Sequence, residues 1–252
     1  VALTDSLISH WKLNETSGAR HDAHGANHLT DNNTVGYAAG LMGNAADFET
    51  GSSEYLSIAD NADLSFADED FAIAGWVNLE STGGYMALFS KGSADSLYLF
   101  FEYVLAITST GAPKFSVASA GANTSVSWGS NLSTGTWYFL YAHHDSVNNQ
   151  ILVQVNNGAP VTASCSHGCK DGSAAFYLGA FSGGGGSYYD GLMDSVSVWN
   201  RCLTSDERTT LYNSGAGLDY ENWVATGHPA SKRMGGVQHA GRLIGNSAMR
   251  MW

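Results

Sequence analysis

Basic residues are scarce in this chain and unevenly placed. Only 11 Lys and Arg stand against 23 Asp and Glu, a formal net charge of -12. Lys232, Arg233, Arg242 and Arg250 all follow Trp223 with no acidic residue among them, so residues 1–223 hold 7 basic against 23 acidic groups, net -16, and the tail nets +4. Phosphate contacts need clustered Lys and Arg, so the acidic body excludes nucleic acid as a partner. The basic tail is too short and sparse to reverse that. Long apolar runs are missing too: no stretch of about 18 apolar residues occurs, which argues against insertion in a membrane. The amino end has no basic segment leading into an apolar stretch. Val1 without a preceding Met fits a trimmed initiator or a leader cleaved just upstream. Because Leu3 to Leu13 already reads as a first strand, the sequence favours the trimmed Met and folding in the cytoplasm.

Cysteine is sparse as well. Cys165-Ser166-His167-Gly168-Cys169 reads as a hairpin tip in which Cys165 and Cys169 form a small disulfide loop in an oxidising setting, or remain thiols. Zinc there would need two more ligands, and only His167 is near. Cys202 reads as a buried thiol. Charged residues make up only 13%, so Glu and Lys, the usual helix formers, are few.

What is abundant is glycine, at 30 residues, and aromatic side chains, at 12%. Short runs of alternating apolar and polar residues recur: Leu7 to Leu13, Tyr55 to Ile58, Phe71 to Leu79, Met86 to Ser90, Leu97 to Tyr103, Val104 to Thr108, Lys114 to Ala118, Thr136 to His144, Gln150 to Val155, Ala174 to Ala180 and Leu192 to Trp199. Asn156-Asn157-Gly158 supplies a hairpin turn tolerant of positive φ. Gly183 to Gly186 reads as a connector. One convincing helix begins near Ser205, and no internal repeat is apparent. The expected fold is all-β: a two-sheet antiparallel sandwich over residues 1–223, one short helix near its end, and an extended, Gly-rich C-terminal tail over 224–252. A tail of that composition has too little apolar surface to fold alone, and it is expected to dock on a neighbour through Lys232, Arg233, Val237, Leu243, Ile244 and Trp252.

Three stretches carry a family resemblance. At the front are Leu7-Ile8-Ser9-His10-Trp11-Lys12-Leu13-Asn14-Glu15-Thr16-Ser17-Gly18, then Asp22, Gly25, Gly40, Gly43-Asn44-Ala45 and Phe48. In the middle are Phe71-Ala72-Ile73-Ala74-Gly75-Trp76-Val77 and Gly135-Thr136-Trp137-Tyr138. Near the end, Tyr188 to Thr204 runs from an Asp-Gly turn through an alternating strand into the helix. In this order they resemble a laminin G-like, concanavalin A-like jelly roll over about residues 3 to 219. The resemblance implies a sandwich that binds rather than transforms, with Ca²⁺ near its rim held by Asp22 and Asp194. The family's second acid after Asp194 is replaced by Ser195. The tail is similar, more loosely, to Gly-Gly-Val segments that end phage and prophage structural proteins.

The same jelly roll also carries glucanases, whose closely spaced carboxylates alternate along one strand. No E-x-D-x-E arrangement occurs here, Asp68-Glu69-Asp70 reads as a solvated loop, and His143-His144-Asp145 reads as strand-end residues beside a turn. No enzyme activity is expected. Sugar binding needs exposed aromatic faces beside polar groups. Trp11, Trp76, Trp137 and Trp199 read as core, which leaves Trp128, Tyr188 and Tyr189 as candidate glycan contacts. Two functions follow. One is a non-enzymatic structural protein on the surface of a phage-like virion, a capsid decoration or fibre subunit contacting neighbouring copies or other particle proteins. The alternative is a secreted or cell-surface carbohydrate-binding module or adhesin.

Overall fold

The computed structural model describes residues 1–92, 101–119, 121–182 and 186–223. The expected docking residues Lys232, Arg233, Val237, Leu243, Ile244 and Trp252 lie outside them, as does most of the Gly183 to Gly186 connector. In chain order the strands are β1 (Leu7–Trp11), β2 (Thr30–Asn32), β3 (Gly36–Ala39), β4 (Asn44–Phe48), β5 (Tyr55–Ile58), β6 (Phe71–Leu79), β7 (Met86–Gly92), β8 (Phe101–Ile107), β9 (Pro113–Ser119), β10 (Ala122–Ser127), β11 (Trp137–Asp145), β12 (Gln150–Val155), β13 (Val161–Ser164), β14 (Phe176–Leu178) and β15 (Gly191–Trp199), followed by the helix α1 (Ser205–Tyr212). They form an eight-stranded sheet ordered β13-β12-β11-β6-β15-β4-β3, with β1 also paired to β15, and a seven-stranded sheet ordered β10-β9-β8-β7-β14-β5-β2. Every pairing is antiparallel. The two runs expected at Leu97 to Tyr103 and Val104 to Thr108 are one strand across their join, because Phe101 through Ile107 is buried throughout and nothing breaks it.

Strand periodicity explains the layers. Phe71, Ile73, Val77 and Leu79 of β6, Leu140 and Ala142 of β11, and Ile151, Val153 and Val155 of β12 point between the sheets, where they meet Leu88, Phe89, Tyr103, Leu105, Phe115 and Val117. Gly75 keeps its inward place free: a Cβ there would lie 3.0 Å from Val196 Cγ2 and 3.1 Å from Phe89 Cζ. The alternate set, Ala72, Ala74, Trp76, Phe139, Tyr141 and Leu152, points to the other side of the eight-stranded sheet and forms a second apolar cluster with Leu203, Leu211 and Trp223. Both faces of β6 and β11 are therefore buried, and their near-continuous apolar composition follows.

The cover over that second face is held at both ends. Thr204 and Glu207 form a reciprocal capping box at the start of α1. Arg201 grips Glu207 through two guanidinium nitrogens at 2.8 and 2.9 Å and donates to the carbonyls of Asp5 and Ala2. Trp223 stacks on Trp199 with ring centres 5.8 Å apart. The chain's own residues 203–223 thus occupy the outer surface of the eight-stranded sheet.

Candidate ligand-binding surface

The outward face of the seven-stranded sheet carries different chemistry at its β14-β5-β2 end. Leu56 of β5 and Phe176 and Leu178 of β14 point into the core, so their neighbours Tyr55, Ser57 and Tyr177 point outward. From β2, Thr30 and Asn32 pair with Ser57 and Tyr55 and share that face. Asn32 donates through Nδ2 to Ser57 Oγ at 2.9 Å. Tyr188, in the loop entering β15, completes a row: Tyr55 lies 5.9 Å from Tyr177 and 6.2 Å from Tyr188 between ring centres, the latter pair stacked at 29°. All three rings are half-buried. Partial burial, then the neighbouring phenols, push the Tyr55 hydroxyl above its usual range. The result is a strip of flat apolar faces edged by hydroxyl and amide groups.

The rim beside this strip is acidic. Thr50 ties it to the tyrosines, its amide donating to Asp190 Oδ1 at 3.1 Å and its hydroxyl to the Tyr188 carbonyl at 3.5 Å. Ligand oxygens of Asp47, Glu49 and Glu80 lie within 4.8 Å of one another. Burial and then Asp190 raise the Asp47 carboxyl, and burial and then Asp47 raise Glu80. These three carboxylates offer the hard oxygens that a divalent cation such as Ca²⁺ takes. A shallow cleft of about 310 Å³ with a mainly apolar surface opens between Lys12, Asn14, Glu15, His21 and Ala23.

A laminin G family model, described as the concanavalin A-like lectin/glucanases superfamily, matches residues 50–207. The chain belongs to this superfamily. Among solved structures it is similar to the binding domain of Paraclostridial Mosquitocidal Protein 1, at 13% identity and a TM-score of 0.69 over 84% of this chain and 53% of that one. It is also similar to domain 4 of an extracellular GH43 arabinanase from Geobacillus stearothermophilus, solved with arabinotriose, at 20% identity and a TM-score of 0.58 over 81% of this chain and 97% of the other. A Trypanosoma rangeli sialidase solved with sialic acid is similar at 15% identity and a TM-score of 0.62, over 87% of this chain and 35% of the sialidase. The chain thus spans about half the length of the mosquitocidal-protein binding domain it matches. No curated protein matches the sequence. At these identities the likenesses establish the lectin-like jelly roll alone.

Within that superfamily fold, the sequence-predicted residues separate. Tyr188 belongs to the tyrosine row, but Tyr189 does not: it is fully buried, its hydroxyl donating toward the carbonyls of Asn78 and Leu192 and its ring against Phe48. Adjacent residues in extended chain point to opposite sides, so only one of the pair can face out. Trp128 is half-buried against the core, and its ring closes on the Asn156 to Gly158 turn, where a Cβ at Gly158 would lie 2.9 Å from Cη2. It joins none of the three tyrosines. Tyr55 and Tyr177 carried a readable signal, an aromatic alternating with Leu or Phe on a short strand.

Asp22 and Asp194 each hold backbone amides. Asp22 accepts amide hydrogens from His10, His24, Gly25 and Asn27 and so fixes its loop. Burial pushes its carboxyl up, but the Gly25, His10 and His24 amides together outweigh that and hold it below the usual range. Asp194 sits at a bulge in β15, with Ser195 at φ 52°, and its Oδ2 accepts from Leu41 and Met42 at 2.8 Å each. Burial raises its carboxyl to about 7. Both acids thus anchor backbone amides, while Oδ1 of Asp194 is buried without a hydrogen-bond partner.

Cys165, Cys169 and Cys202 are free thiols. The Cys165 to Cys169 segment is not an open hairpin tip: both side chains are buried against the main core. Cys165 Sγ faces His167 Nε2 at 3.7 Å, and that nitrogen also meets Thr124 Oγ1 at 2.8 Å. Of the two states expected for this pair, disulfide loop or thiols, the structure carries the thiols, each packed into the core. Of the acidic run, Asp68 and Glu69 are exposed, while Asp70 accepts from the amide and hydroxyl of Ser146.

Proposed function

We propose that this chain is a non-catalytic, lectin-like module that binds a neutral glycan along Tyr177, Tyr55 and Tyr188. The observation that carries the reading is the half-buried tyrosine row, Tyr55 stacked on Tyr188 and edge-on to Tyr177, on a sheet face that the chain's own helix does not cover. Pyranose C-H faces pack on such rings, while sugar hydroxyls find Asn32, Ser57 and Thr30. The carboxylates of Asp47, Glu49, Glu80 and Asp190 repel sialylated or sulfated chains and favour uncharged ones. The arabinotriose held by the similar arabinanase domain makes arabinan fragments the first ligands to try. Turnover is not part of the proposal, since binding needs no acid–base pair at this face. A glycan array of neutral and acidic oligosaccharides tests it. The expected result is binding to neutral members that is lost in Tyr55→Ala and Tyr177→Ala; binding confined to acidic glycans, or hydrolysis of any bound chain, would overturn it.

A finer reading places the module on the surface of a phage-like particle, as a decoration or fibre subunit docked through residues 224–252. Its support is the tail's sequence: four basic residues, no acidic one, and a terminal Met251-Trp252. A secreted or cell-surface location serves the same glycan-binding role without docking.

A further inference from the structure

The end of β11 carries a cluster that the glycan reading does not use. His143 and Asp145 are two residues apart on one strand, so both leave the sheet on the side of Tyr141. Cys202 comes from the short connection between β15 and α1. One imidazole nitrogen, one carboxylate oxygen and the Cys202 sulfur all lie within 4.8 Å of one another. His143 is 5% exposed, and its Nε2 is buried with no hydrogen-bond partner. An unsatisfied ring nitrogen in that position is costly unless something occupies it.

We propose that His143, Asp145 and Cys202 form a binding site for a zinc-class divalent transition metal. A thiolate, an imidazole and a carboxylate together suit Zn²⁺ or Co²⁺ and not Ca²⁺ or Mg²⁺, which demand oxygen shells. Tetrahedral zinc at ordinary bond lengths separates its N, O and S ligands by about 3.5 Å. The observed limit of 4.8 Å therefore asks for closure of roughly 1 Å, within side-chain adjustment. The outer shell is already built. Nδ1 of His143 meets the Tyr141 hydroxyl at 2.8 Å, and the Tyr141 oxygen also accepts the Leu203 amide. The tautomer in which Nδ1–H donates to that oxygen leaves the Nε2 lone pair for the metal. Asp145 is oriented by Asn148, whose amide and Nδ2 donate to its two oxygens at 2.8 and 2.7 Å. Cys202 is half-exposed, which opens a path inward. Asp70 and the guanidinium groups of Arg208 and Arg201 are the other charges acting on Cys202, and on binding the thiol, now donating to the His144 carbonyl, releases its proton. Three protein ligands leave a fourth position for water.

The test uses the untagged full chain, stripped with a chelator and titrated with Zn²⁺ and separately with Co²⁺. The expected result is a Co²⁺ complex with a thiolate-to-metal charge-transfer band that Cys202→Ser abolishes, that His143→Gln weakens at least tenfold, and that Cys165→Ser leaves unchanged. In the wild-type chain, Zn²⁺ should also slow alkylation of Cys202, read by mass spectrometry without any variant. The proposal is overturned if the band survives Cys202→Ser or disappears with Cys165→Ser, or if Zn²⁺ leaves Cys202 alkylation unchanged.

Discussion

Asp194 shows how far one residue's role departs from its residue type. An acid that the family resemblance makes a candidate metal ligand holds the amides of Leu41 and Met42 across a bulge, fully buried. Its folded value of about 7, against an ordinary 3.8, means the native state binds its proton more tightly than the unfolded chain does. Stability from this group is therefore complete below about pH 4 and is lost as pH rises through 7. Asp194→Asn keeps an oxygen for both amides and removes the charge. Its stability relative to wild type should show no gain near pH 4 and rise to about 4 kcal/mol above pH 7, read by urea melts across that range. At this scale the sequence disclosed aromatic type but not direction. Tyr188 and Tyr189 looked equivalent, and only the path of the loop before β15, where the Tyr189 amide donates to the Gly179 carbonyl, sends one to the surface and the other to Phe48.

Among the elements, the long strands were legible because both of their faces are apolar or strictly alternate. β6 and β11 span nine residues each and match the runs read from sequence closely. β2, β3, β10 and β13 were not legible: they run three to six residues, and their residues are mostly polar or small and half-buried or exposed. Such strands are fixed by their partners and not by their own pattern. The helix was visible for the opposite reason, since Thr204 and Glu207 spell its cap locally. Because α1 seals the second apolar cluster, loss of that cap should reach beyond the helix. Thr204→Ala is expected to cost about 1 kcal/mol and to raise amide exchange in α1 before that in β6, measurable by hydrogen exchange. A loss confined to α1, with no added exchange beneath it, would separate the cap from the cover.

The whole molecule presents two unlike faces. One sheet is closed by its own C-terminal segment through Trp223; the other turns tyrosines outward beside an acidic rim. The lectin-like jelly roll was readable from the ordered motifs along the chain, whereas the tyrosine strip was not, because it assembles from β2, β5, β14 and a loop separated by more than a hundred residues. Since Trp223 completes the second cluster, a chain ending there should remain folded. If the tail docks copies together, light scattering will show the full chain assembled and the shortened chain monomeric; equal monomers would remove the docking role. Isothermal titration with a neutral oligosaccharide selected on the array tests whether the tyrosine row is the glycan-binding surface. Wild type and Trp128→Ala should bind alike, while Tyr55→Ala should weaken binding by at least about tenfold, or roughly 1.4 kcal/mol, with an unchanged melting temperature. Equal affinity in wild type and Tyr55→Ala, or a loss in Trp128→Ala instead, would contradict it.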